Sequence, residues 1–202
     1  DHHVSAAREI KQAHDYRYAV NHSGAVIAWK FFHPGTPVPH LLRYVEERDL
    51  WKFKSPKVRE ILSSVDLAPR TFAAWSKLAR ELETSAGRRR HAARGAIVRA
   101  TEQHIIGKLV RRIESGRLSG HRAGIINSGI LRSEIGHAIC EAGYPVAVVW
   151  FRESGFIRIS LRSRGSVDAS KIAQIYGGGG HRRAAAFILP GNAKLPWQYL
   201  RT

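Results

Sequence analysis

The sequence predicts an α/β protein in two parts, a helix-rich N-terminal half and a smaller C-terminal lobe built on a mixed sheet. Two observations carry that prediction. From Ser55 to about Ile113 apolar residues recur at the three- and four-residue spacing of helices, whereas from Arg122 onward short β-rich runs alternate with helical stretches. Three segments follow: residues 1–60 as part of a first lobe, 61–113 as a helical linker, and 114–202 as the α/β lobe.

In order along the chain, Asn21–Gly24 reads as a polar turn opening an apolar helix through residue 33, and Pro34, Pro37 and Pro39 then interrupt the chain. A helix over HLLRYVEERDLWKF (40–53) ends near its acidic group. Ser55-Pro56 opens the next helical stretch, in which Phe72, Trp75, Leu78, Ala79 and Leu82 share one face. Gly87, before the basic cluster Arg88–Arg94, predicts a break and a new helix. Arg122–Ile126 reads as a strand and Ser133–Ala142 as a helix. Val146–Phe151 and Phe156–Leu161 read as strands about the turn Glu153-Ser154-Gly155, and Val167–Tyr176 as a helix ending at the glycines.

The charge is far from balanced: 33 Lys and Arg against 16 Asp and Glu leave a net charge of +17. Such an excess attracts polyanions, and it favours nucleic acid or a nucleotide as partner over a neutral metabolite. One cysteine, Cys140, cannot form an internal disulfide, and no apolar run approaches bilayer-spanning length, so a reducing, cytoplasmic setting without a membrane is expected.

The run GGGGHRRAAAF (177–187) is the clearest chemical signal. Glycines let backbone N–H groups approach an anion closely, and successive N–H groups make a phosphate cradle. His181, Arg182 and Arg183 add donors and positive charge. Arg162, at the end of a strand, is placed to reach the same anion. The competing reading of the glycines alone is a flexible helix-terminating linker.

The stretch SLRSRGSVDASKIAQIYGGGGHRRAAAF (160–187) resembles the DHH-associated domain of the DHH phosphoesterase family, whose hallmark is Gly-Gly-Gly-His-x-x-Ala-Ala-Gly. Gly178, Gly179, Gly180, His181, Ala184 and Ala185 match it, and Ala186 stands where the family has glycine. The resemblance implies a substrate-binding loop for phosphate and nucleotide. Asp1-His2-His3 likewise resembles the motif that names the family, and YVEERDLWKF its segment with a later acidic metal ligand. By the resemblance His2 coordinates metal, His3 contacts the scissile phosphate and Asp1 supports them. The acidic ligand falls on Glu47, with Asp49 as the alternative. The metal so implied is Mn²⁺, with Mg²⁺ as alternative.

Family members carry further aspartate-rich motifs ahead of Asp-His-His. The sequence is therefore expected to be the C-terminal part of a DHH lobe, a helical linker and a substrate-binding lobe, inactive without the preceding motifs. The activity implied is metal-dependent hydrolysis of phosphodiesters or phosphomonoesters in short oligonucleotides, single strands or nucleotides, as in RecJ-like exonucleases and nano-RNases. The alternative is a non-catalytic nucleic-acid-binding module, as in the related domain of alanyl-tRNA synthetases.

Overall fold

The computed structural model describes residues 2, 9–14 and 16–200, and the chain divides into two compact units, residues 1–103 and 104–202. Asp1 and His3 lie outside the described residues. No helix among them is long and apolar enough to cross a membrane.

The first unit is helical. Ser23 caps α1 (Gly24–Phe32) by accepting from the Val26 amide, and α2 (His40–Asp49) follows the proline-rich turn. Helices α3 (Val58–Val65), α4 (Phe72–Glu83) and α5 (Ser85–Val110) follow, the division between units falling inside α5. The core comprises Leu41 and Tyr44 of α2, most of the apolar face of α3, and Leu78 and Leu82 of α4.

Gly87 does not break a helix. The interruption lies at Thr84, whose backbone is extended and whose Oγ1 accepts from the Gly87 amide at 3.0 Å, so α5 starts before the glycine and runs unbroken through it. Glycine is there for contact. A Cβ at Gly87 would lie 1.8 Å from the Glu81 carbonyl oxygen, and one at Gly95 would lie 1.6 Å from that of Glu60. Between these close approaches, one turn from each, buried His91 joins Ser64 (2.9 Å from Nδ1) to Glu81 (2.9 Å from Nε2). One face of α5 thus locks α3 and α4 together. The hydrogen bond to His91 also holds the Glu81 carboxyl below its ordinary range.

The second unit is a seven-stranded mixed sheet. Its strands are β1 (Glu114–Leu118), β2 (His121–Asn127), β3 (Val146–Glu153), β4 (Phe156–Ser163), β5 (Gly179–His181), β6 (Ala184–Pro190) and β7 (Trp197–Tyr199), ordered β5-β6-β4-β3-β2-β1-β7. Only β2 and β3 run parallel, joined through α6 (Arg132–Glu141). Residues alternate strictly along β4. Ile157, Ile159 and Leu161 face the core that also holds α7 (Ala169–Ile175), while Arg158, Ser160 and Arg162 face the α6 side. On that side Ile126, Ala147 and Val149 pack against Ile135 and Ile139 of α6.

The close contact at Gly95 sets a test in which propensity and packing oppose each other. Helix propensity alone favours Gly→Ala by about 0.8 kcal/mol. Gly95→Ala should instead destabilise by about 2 kcal/mol or more, whereas Gly107→Ala, whose Cβ would meet nothing within 4 Å, should stabilise. Denaturant unfolding of the two variants reads both signs.

Candidate functional site

In the second unit the glycine run is partly strand. Gly177 (φ +73°) ends α7, with its amide donating to the Gln174 carbonyl and that of Gly178 to the Ala173 carbonyl, a left-handed helix cap. Gly179–His181 then forms β5, an edge strand paired with β6 in the register Gly179↔Ala186, Gly180↔Ala185, His181↔Ala184. A side chain is excluded at two positions by the approach of β6: a Cβ at Gly178 would lie 2.2 Å from the Ala186 carbonyl oxygen, and one at Gly180 (φ +139°) 2.6 Å from that of Ala184. The free loop expected from sequence is thus a cap followed by an edge ladder. An edge strand turns alternate N–H groups away from its neighbour, which retains amides for an anion in a more rigid frame.

The register does the positioning. Arg162 of β4 pairs with Ala184 of β6, which pairs with His181 of β5, so the three share one row on the α6 face, with the small Ala184 between the cation and the imidazole. The next row holds Ser160, Ala186 and Gly179, and beyond it come Arg158 and Ile188. Small side chains in the middle row leave a cleft of about 290 Å³ whose lining includes Arg132, Arg158, Ser160, Gly178, Ala186 and Ile188.

Arg162 is held in place from two sides. Nη2 donates to Ser133 Oγ on α6 at 2.6 Å and Nη1 to the Leu161 carbonyl at 2.8 Å. Gly136 makes room for its stem, since a Cβ there would lie 2.7 Å from Arg162 Cγ. Burial draws the guanidinium below its ordinary range, opposed by the charge of Glu134. A half-buried guanidinium bonded to neutral oxygens favours a bound anion. Ser133, Gly136, Ser160, Arg132 and Arg158 were not singled out from sequence as site residues. Alternation along β4 was the available signal for Ser160 and Arg158, whereas the residues from α6 required the tertiary structure.

In the first unit, three acids of one helix do three separate things. Glu46 accepts from the Ser23 amide at 2.7 Å and lies 3.1 Å from His22 Nδ1, anchoring the start of α1, while Lys30 Nζ lies 2.8 Å from His22 Nε2. Glu47 accepts from the Ser55 amide at 2.8 Å, from the Lys54 amide and from the Ser55 hydroxyl, closing the turn after α2. Asp49 lies beside buried His2, with Oδ2 3.3 Å from Nε2. Directly after Asp49 the chain turns sharply through Trp51 at φ +53°. Of the two acids left open by sequence, Asp49 is therefore the one beside His2, and Glu47 is occupied by the backbone.

As a metal centre, His2 and Asp49 fit as two donors. Imidazole and carboxylate suit Mn²⁺ or Mg²⁺ between them, and their 3.3 Å separation lets both reach one cation at bond lengths of about 2.0–2.2 Å. No group of three or more His, Cys, Asp or Glu side chains suited to a metal occurs among the described residues, so the pair would supply two ligands and not a whole coordination shell.

Gly136→Ala tests the placement of Arg162 without touching the cleft's charge. It should weaken the binding of a nucleoside 5′-monophosphate by about tenfold, the equivalent of losing one charge-assisted hydrogen bond of about 1.5 kcal/mol, as measured by calorimetric titration. The unfolding midpoint checks that the fold survives.

The DHHA1 domain model matches residues 118–196. An uncharacterized protein of Acanthamoeba polyphaga mimivirus is 26% identical over 205 residues, covering 95% of this chain and 47% of its own length, so the chain spans about half of that curated relative. Similar solved structures include the pGpG-specific phosphodiesterase PggH of Vibrio cholerae, 12% identical over 89% of this chain and 71% of that one with a TM-score of 0.47. They also include RecJ of Thermus thermophilus in complex with Mg²⁺, 19% identical over 67% of this chain and 22% of that one with a TM-score of 0.39. The part of the second unit that carries the Gly-His strand, residues 118–196, matches the DHHA1 domain, in keeping with the resemblance to the DHH phosphoesterase family.

Proposed function

We propose that this protein takes part in metal-dependent hydrolysis of phosphate esters, with short oligonucleotides, single strands or nucleotides as substrates. The observation that carries the reading is the row Arg162–Ala184–His181 at the border of a cleft floored by Ser160 and Ala186. A phosphoryl group seated on that row meets a fixed guanidinium and an imidazole. The adjoining cleft, of about 290 Å³, matches a nucleotide-sized group.

Each residue acts through its own chemistry. Arg162 neutralises phosphate charge from a position set by Ser133 and Gly136. His181 and the outward amides of β5 orient the phosphoryl oxygens. In the other unit, His2 and the Asp49 carboxylate would each supply one ligand to the metal. The resemblance assigns Asp1 to the same set and His3 to the scissile phosphate. A divalent ion, Mn²⁺ with Mg²⁺ as alternative, supplies an activated water and neutralises phosphoryl charge.

The test is Mn²⁺-dependent hydrolysis of short RNA and DNA by the full-length polypeptide. Asp49→Asn should reduce kcat by 100-fold or more and weaken Mn²⁺ binding. Glu47→Gln should lower the unfolding temperature while leaving Mn²⁺ affinity intact, and His181→Ala should lower kcat/KM without changing Mn²⁺ affinity. Absence of metal-dependent hydrolysis, or an exchange of the Asp49 and Glu47 phenotypes, overturns the reading.

A further inference from the structure

Strand order and direction bring one end of each strand in the second unit to a single rim of the sheet. At that rim lie the β5–β6 turn with Arg182, the end of β4 with Arg162 and Arg164, the start of β3 after Tyr144, and the β1–β2 hairpin with Arg117 and Arg122. At an interstrand spacing of about 4.8 Å, this rim extends about 24 Å from β5 to β1.

Its cations are fixed but not neutralised. Arg164 donates to the Cys140 carbonyl at 2.6 Å, Arg117 to the Gly120 carbonyl at 3.3 Å and Arg182 to the Ser166 carbonyl at 3.5 Å, while Arg122 lies over the Tyr144 ring at 4.7 Å. Among the described residues none of these four arginines forms an ion pair. The carboxylates nearby are engaged elsewhere: Glu141 lies 3.1 Å from His137, and Asp168 caps α7. At the opposite end of the sheet Arg158 is paired with Glu153 at 3.0 Å, while Arg152 donates to the Gly191 carbonyl. Arg117 and Arg122 are moreover direct cross-strand partners, an arrangement in which like charges repel and weaken a hairpin.

We infer that this rim is a binding track for single-stranded nucleic acid, running from the Arg162–His181 row to the β1–β2 hairpin. Guanidiniums held on neutral carbonyls or, for Arg122, over the Tyr144 ring offer their remaining donors to phosphate oxygens at little cost in conformational freedom. A single strand fits better than a duplex because the track begins at a cleft on one sheet face with room for one nucleotide-sized group. Where the strand begins rests on the phosphate-binding reading of the Gly-His strand, and the track itself does not.

The experiment is fluorescence-anisotropy titration of the full-length polypeptide with labelled oligo(dT) of twelve nucleotides across a series of salt concentrations, alongside calorimetric titration with a nucleoside 5′-monophosphate. Arg117→Gln/Arg122→Gln should weaken oligonucleotide binding at least tenfold at low salt and reduce the slope of log K against log salt by about 1.4, or about 0.7 per phosphate contact. Monophosphate binding should be unchanged in this variant, and its unfolding temperature unchanged or raised, because a repulsive pair has gone. His181→Ala should do the reverse, losing the monophosphate while keeping the salt slope. An unaltered slope in the double variant overturns the track. So does tighter binding of duplex DNA or of phosphatidylserine vesicles than of the single strand. Failure of the wild-type protein to bind the monophosphate, with oligonucleotide binding still sensitive to the hairpin variant, overturns the Gly-His reading and leaves the track standing.

Discussion

The pairing of β4 with β6 is the constraint on which the second unit depends. In the observed register, Arg158, Ser160 and Arg162 share a face with Ile188, Ala186 and Ala184, while Ile157, Ile159 and Leu161 enter the core with Phe187 and Ala185. Strand side chains have a period of two, so a slip of one residue would expose three branched aliphatic side chains and bury two guanidiniums. Burying an uncompensated guanidinium costs several kcal/mol, which makes the slip prohibitive. The hydrophobic alternation that builds the core is therefore the same feature that aims Arg162 at the Gly-His strand. Folding and site assembly are one event there, and the small residues of β6 serve both.

The first unit obtains its precision differently, through backbone contact. Gly87 and Gly95 let α5 lie directly against carbonyls of α4 and α3, and His91 fills the interval with hydrogen bonds to both helices. Ser64–His91–Glu81 has the connectivity of a nucleophile–base–acid relay, but Ser64 is only 2% exposed and packed among helices, so the arrangement braces the fold. Farther along the chain, α2 distributes its carboxylates by helical angle. Glu46 and Glu47, adjacent in sequence, point to the α1 cap and to the Ser55 turn, and Asp49 reaches His2.

Much of this was legible in the sequence, and the reasons for the remainder are physical. The strands of the second unit announced themselves through β-branched runs, and Gly178–His181 with Ala184–Ala185 was readable because so few backbones require that combination. That β5 is a strand was hidden, since glycine has low strand propensity and the ladder exists only because β6 approaches too closely for a Cβ. Gly87 misled for a related reason: a helix interior accepts glycine when a neighbouring backbone demands it. Which of Glu47 and Asp49 lies beside His2 depends on which way each side of α2 faces, and two residues of spacing places them on different faces.

The rim was hidden for another reason. Arg162 and Arg182 stand near the glycine run in the sequence, but Arg117 and Arg122 lie about 40 residues or more before them, and each would read singly as an ordinary solvated charge. Only antiparallel connectivity collects them, because each hairpin returns the chain to the same end of the sheet. A net charge of +17 says that polyanions will be attracted but not where. The distribution of counter-charge supplies the location. Where Arg158 meets Glu153, the field is local and cancelled; where Arg117 faces Arg122 it is left open, at the expense of hairpin stability. The rim guanidiniums, none of them ion-paired among the described residues, place positive potential on the side where the Arg162–His181 row opens, so a long polyanion drawn to the rim arrives already aligned with the cleft.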